Sequence, residues 1–389
     1  MNASVPSRYG LFLVSAIVLA LAFGLWNERA HQGQLQATAL RERQSATQDR
    51  RQTQHAVSLL IRAFVADNQL KYSAISQTEA TYADQKMQTK ARITRTPESM
   101  AIVYLDGDRK GLNSGFNQNW FWRHKPGTPM QAYAAVEHDA TEMAAKRFAM
   151  LLDNYEVKWL KDDTIAGRAV EIVEIHPINP IDGAKGPGKQ LGIDKETGLT
   201  VLTTTYNYQW QPVMSSTLSE IDFSPTITAA TFPSPTAMHD VAKKKPWMAR
   251  EMGSHRDEVA RLTGVVPPQP KELPRGFAFD AVGIHRCETV GAPSHAALTR
   301  YTDGLNTLTV FAMKNADLQR EKSLHEGAAT TKNAPKDATR SGDQACDFGP
   351  GTLVMRDVPQ GRIIAVGDLP PVTLRRVVDS ATLQLHGAK

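Results

Sequence analysis

Gly183-Ala184-Lys185-Gly186-Pro187-Gly188-Lys189 has the GxxxxGK spacing of a phosphate cradle. Such a cradle needs Ser or Thr next, to hold magnesium, and a helix N-terminus whose aligned amides meet the phosphates. Gln190 follows instead, and the loop joins strand to strand, so it reads as a hairpin loop. Asp162 and Asp163 are adjacent carboxylates, but neighbours on a strand or turn face apart, and the pair reads as part of a turn. His124, His138 and His176 show no HExxH or other metal spacing, and there is no GxSxG elbow. No catalytic, metal or cofactor-binding residue is nominated, and a non-enzyme is expected. Cys287 and Cys346 sit in no CxxC or Cys/His pattern. In an oxidising compartment they are candidates for one disulfide, whose long ring the chain-entropy model values at about 4 kcal/mol; the alternative is two unrelated thiols. Trp120 and Trp122 flank Phe121 and share one face if the stretch is a strand. They either fill the core under helices or line an apolar cavity for an acyl chain, which makes them the candidate ligand-binding residues.

The elements that position these residues begin with Tyr155 to Phe223. Apolar residues alternate there: Val157 and Trp159, Val170 and Ile172, Leu191 and Ile193, Leu199 and Val201. With turn clusters at Asp163–Gly167 and Asp194–Gly198, the stretch reads as an antiparallel meander with one apolar face. That face needs a cover: a helix, a second sheet or a ligand. Two amphipathic helices are available, Ala56–Val65 and Asp139–Asn154, the second with a capping-box pair, Asp139 and Glu142, and a stripe of Ala144, Phe148, Leu151 and Leu152. Tyr72–Tyr82, Lys86–Thr94, Met100–Leu105 and Phe116–Arg123 read as strands, so residues 56–224 form an α+β domain. Residues 225–275 read as a Pro-rich linker with a short helix at Glu251–Leu262. Residues 276–389 read as a smaller α+β domain with a long polar loop, Lys314–Gln344. Its final helix starts at Pro370-Pro371 and carries the stripe Leu374, Val377, Val378, Ala381 and Leu385.

Tyr9 to Trp26 is an apolar run long enough to cross a bilayer. Residues 1–26 are a signal peptide cleaved near Ala20-Leu21-Ala22, or a retained signal anchor with Trp26 at the interface; the anchor is preferred, and both export the body. Residues 27–55 read as a polar stalk. A chain of 389 residues suggests two folded domains, and its net charge of +5 is scattered, so nucleic acid is not an expected partner.

SAISQTEATY, MQTKARITRT, AGRAVEIVEI and IDKETGLTV, after the early helix, resemble the LolA-like fold of periplasmic lipoprotein carriers and of the RseB/MucB regulators. Leu273-Pro274-Arg275-Gly276-Phe277, Tyr301-Thr302-Asp303-Gly304-Leu305 and Ile364–Pro371 (IAVGDLPP) resemble RseB/MucB specifically. The resemblance implies a LolA-like domain followed by an RseB-type C-terminal domain. It implies a periplasmic regulator that binds the periplasmic part of an inner-membrane anti-sigma factor and restrains its proteolysis, with the first domain sensing lipid or lipoprotein. The N-terminal anchor and the polar loop depart from that pattern. A periplasmic lipid or lipoprotein carrier is the alternative, and the second domain discriminates the two.

Overall fold

The structure, a computed structural model, describes residues 51–387 apart from 83–84, 118–119, 129, 135–139, 234–247, 250–253, 288–293, 317–343 and 349–350. The chain divides into two units, Met1–His55 and Ala56–Lys389. The expected membrane segment and most of the stalk lie outside the described residues. Among the described residues no helix is long and apolar enough to cross a membrane.

Helix α1 covers residues 51–69, and its part from Ala56 onward opens the larger unit. Six strands follow: β1 (Tyr72–Tyr82), β2 (Gln85–Thr96), β3 (Ser99–Tyr104), β4 (Asn113–Phe116), β5 (Trp120–His124) and β6 (Gln131–Ala134). Helix α2 (Ala140–Asn154) leads into β7 (Tyr155–Ile165), β8 (Arg168–Pro177), β9 (Gly188–Asp194), β10 (Thr200–Tyr206) and β11 (Pro212–Asp222). Among the described residues these eleven strands form one sheet in the order β6-β5-β4-β3-β2-β1-β11-β10-β9-β8-β7. Every pairing is antiparallel, with β1 and β11 joining two meanders at the centre. The connection through α2 therefore runs from one sheet edge to the other. Its fifteen residues span about 22 Å, and the five residues before it add at most about 18 Å. Ten strand spacings laid flat would need about 48 Å. The sheet must coil for the edges to be bridged, which puts α2 across its concave face.

The alternation behaves as expected over Val157, Val170, Ile172, Ile193, Leu199 and Val201, all buried. Two expectations shift. The aromatic stretch is two strands, β4 and β5. Trp122 packs over Gly115, where an added Cβ would lie 2.5 Å from the indole and 2.1 Å from the Met100 carbonyl, so only glycine fits. Asp162 and Asp163 lie within β7, each held by its own lysine: Lys195 at 2.6 Å and Lys161 at 2.7 Å. The turn starts later, at Ala166 and Gly167, both with positive φ.

A second sheet holds β12 (Met248–Ala249), β13 (Ala278–Cys287), β14 (Ser294–Thr302), β15 (Thr307–Lys314), β16 (Gln344–Phe348), β17 (Gly351–Val358) and β18 (Gly361–Gly367). Its order is β12-β13-β14-β15-β18-β17-β16. The closing helix α4 (Pro371–Ser380) lays Leu374, Val377 and Val378 on β17 and β18, burying them with Leu308, Val310 and Ile363. Leu385, expected on that helix, lies beyond it and bridges to Val265.

Much of the expected linker belongs to this layer. Helix α3 (Ser254–Thr263) packs on β13 and β14, and Val259 and Val265 are buried with Val282, Ile284 and Ala297. Pro267, Pro268 and Pro270 are buried too. Proline lacks an N–H and forms no ladder, but its ring still removes apolar surface from water. The cysteine pair also changes. Cys287 ends β13 and Cys346 lies on β16, with four strands between them. Five strand spacings are about 24 Å, against the roughly 4.4–6.8 Å between Cα atoms that a disulfide spans. The expected Cys287–Cys346 bridge does not fit this order.

Candidate ligand cavity and domain clamp

Helices α1 and α2 leave a cavity of about 580 Å³ on the concave face of the large sheet. Helix α1 meets the sheet through Ala56, Leu59, Leu60 and Ala63, a one-sided helical spacing. It is held in place where Arg62 donates to the Asp194 carbonyl at 2.6 Å. Asp194 is itself fixed by Arg168 at 2.8 Å and by the Thr197 N–H at 2.9 Å. Burial pushes the Asp194 carboxyl up, but the Arg168 and Thr197 hydrogen bonds outweigh it and hold it below the usual range. Phe64 of α1 and Phe148 of α2 meet with ring centroids 5.8 Å apart. They form the apolar wall with Leu60, Leu151, Ile175, Leu191 and Leu218.

The sheet side of the cavity is not uniformly apolar. Ser216 hydrogen-bonds Ser76 at 3.1 Å and Thr78 at 3.0 Å, and Thr200 and Thr203 stand beside it. Four charged residues also line the cavity: Asp67, Arg95, Arg147 and Lys189. Burial raises the Asp67 carboxyl, opposed by Arg95, and lowers the Lys189 ammonium, opposed by Asp303. The Nε atoms of Arg95 and Arg147 are buried and unpaired. Three cations against one acid, beside an apolar wall, suit the cavity to an apolar chain carrying an anionic group.

The other side of α2 is a clamp onto the second sheet. Arg147 Nη2 donates to both oxygens of Asp280 at 2.8 Å, and Arg300 pairs with the same carboxylate. Burial pushes the Asp280 carboxyl up, but the hydrogen bonds and charges of the two arginines hold it below its usual value. Tyr155 donates to Asp303 Oδ2 at 2.5 Å, and Asn306 donates to the Tyr155 hydroxyl at 2.5 Å. Burial first and Asp303 second push the Tyr155 hydroxyl far up, so it stays a donor. Asn154 donates to the carbonyls of Asp303 at 2.9 Å and Gly276 at 3.2 Å. The Tyr208 N–H donates to Asp368 at 3.1 Å, and Asp182 holds Thr373 and Arg376. Gly304 and Leu305 reach past the clamp to complete the cavity wall.

Few of the sequence-derived candidates meet here. Trp122 is 3 % exposed, packs with Ala101, Met130 and Phe232, and donates to Asn113 Oδ1 at 3.2 Å. It pairs across Gly115 and Ala101 with Thr94, on the sheet face opposite Arg95, so it fills core and does not line this cavity. Trp120 opens β5; its side chain lies outside the description. The loop 183–189 runs into β9 and not into a helix. Its last residue, Lys189, is a cavity residue that pairs with Ile175 beside Leu191, and a lone cation on an apolar strand face was the signal available for it. His176 hydrogen-bonds Glu156 at 2.8 Å, His124 lies on β5, and His138 is outside the description. Arg147 and Tyr155 were not singled out. The three family-like segments are the better guide: Gly276, Asp303–Leu305 and Asp368 all fall in the clamp or the cavity wall.

Residues 55–236 match the family model described as the MucB/RseB N-terminal domain. No curated protein matches the chain. Among solved structures, the chain is similar to one in the Pseudomonas aeruginosa MucA/MucB complex, at 17 % identity and a TM-score of 0.54, covering 86 % of this chain and 100 % of that one. It is also similar to one in a structure of MucB with MucA(peri), at 16 % identity and a TM-score of 0.51, with the same coverage. At these identities the likeness is one of fold, and it extends over both sheets. With residues 55–236 matched by the family model and its fold following that of the MucB complexes, the chain is similar to the RseB/MucB proteins.

Proposed function

We propose that this is a periplasmic protein that binds the periplasmic part of an anti-sigma factor and restrains its proteolysis, with the LolA-like first domain sensing a lipid or lipoprotein. The observation that carries the reading is the match of both sheets to a chain solved in complex with MucA. The 580 Å³ cavity supports the sensing part, because apolar walls with a net cationic lining suit a lipidated ligand. The clamp supplies a route, since Gly304 and Leu305 belong to the second domain and bound the cavity. A ligand that binds two arrangements of the clamp with different affinity shifts the balance between them. No catalytic role is proposed.

The test is capture of the purified periplasmic part of the cognate anti-sigma factor by the full-length chain, together with its protection from proteolysis. Capture with protection, both weakened by lipidated peptide, is the expected result. Lipid transfer between vesicles without capture would favour the carrier reading, which the cavity alone also supports.

A further inference from the structure

We propose that Arg147 is shared between the cavity and the domain clamp, so that an anionic head group seated in the cavity draws it from Asp280. This rests on the lipid-sensing reading and names how that site is regulated. Arg147 contacts Asp280 through Nη2 alone, at 2.8 Å to each oxygen. Its Nε is buried without a partner, and the residue lines the cavity. The guanidinium is thus tied to the clamp through one nitrogen, with Nε unmet, on a residue that also lines the cavity. A phosphate or carboxylate accepts two parallel N–H bonds from such a fork. Arg95 and Lys189 line the same cavity and supply further charge for the same head group.

Exchange is feasible because Asp280 does not end up alone. Arg300 pairs with the same carboxylate, so a departing Arg147 leaves one ion pair behind and no bare buried charge. Asn154 and Tyr155 also hold the clamp, but they line a separate pocket of about 480 Å³ and not this cavity. Arg147 is the charged clamp residue that also faces the ligand space.

The experiment is calorimetric titration of the full-length chain with dodecyl phosphate, dodecanol and inorganic phosphate. Dodecyl phosphate is expected to bind about ten-fold more tightly than dodecanol, the scale of one charged hydrogen bond, with inorganic phosphate weaker than either. In Arg147→Gln the phosphate preference falls by about five-fold, the remainder being carried by Arg95 and Lys189, while dodecanol binding stays, which also shows that the variant is folded. In Asp280→Asn the freed Arg147 binds dodecyl phosphate about five-fold more tightly, again with dodecanol unchanged. If Arg147→Gln loses both ligands, the Asp280→Asn result decides. A preference undiminished in Arg147→Gln, or an unchanged affinity in Asp280→Asn, overturns the sharing while leaving lipid sensing intact. Inorganic phosphate binding as tightly as dodecyl phosphate overturns it as well, by showing an anion site without a chain. Failure of both dodecyl ligands to bind the native chain removes the lipid-sensing reading itself.

Discussion

Asp368 carries a charge that the fold resists. Burial pushes its carboxyl from 3.8 up to about 7, against a single Tyr208 N–H bond. A folded-state value above the unfolded one means that the folded chain holds a proton the unfolded chain has released. The contribution is fully present below about pH 4 and is lost as pH rises to about 7, the reverse of the usual Asp pattern. Asp280 runs the usual way, because its lowered value gives stability that disappears as pH falls. Asp368→Asn keeps an acceptor for Tyr208 and removes the titration. The stability difference between variant and native chain, from urea melts at pH 4 to 8, is expected to grow in the variant's favour as pH rises. A difference flat with pH would show that Asp368 titrates normally. Tyr155 does not switch in this range, since its hydroxyl is raised still further from neutrality.

At the scale of elements, the sheet order decides the cysteines. With β14, β15, β18 and β17 between Cys287 and Cys346, two free thiols are expected. Labelling of the unfolded, unreduced protein should modify both, and no labelling would mean that the order of the strands is wrong. This is also where the sequence was legible and where it was not. β1 falls on Tyr72–Tyr82 as read, because alternation with one buried face leaves a period of two. α4 starts where Pro370 and Pro371 set it. The order of strands across a sheet has no local signature, which is why a disulfide between strands far apart looked reasonable. Proline density suggested a linker, yet composition does not tell a solvated proline from one packed at Val265–Pro270. The cavity cations were invisible for a related reason. Arg95, Arg147 and Lys189 come from a strand, a helix and another strand, and only the coiled sheet brings them together.

For the molecule as a whole, the clamp joins the two sheets, and at Gly304 it sets backbone against backbone. Its φ is +100°, and a Cβ there would lie 2.4 Å from the Leu151 amide nitrogen and 2.7 Å from the Arg147 carbonyl. Gly304→Ala is expected to cost about 2–4 kcal/mol in denaturant unfolding, since neither backbone neighbour can turn aside. Gly127→Ala, with φ +79° and nothing within 4 Å, isolates the backbone strain and is expected to cost about 1 kcal/mol. Equal losses would show that the approach is loose. The same contact has a mechanical side. Where two elements usually meet, side chains can change rotamer and absorb a small displacement. Between Gly304 and α2, backbone meets backbone with no such cushion. A displacement of α2 at Arg147 or Leu151 therefore has to be met by the backbone of the 303–306 turn, because no side chain stands between them to take it up.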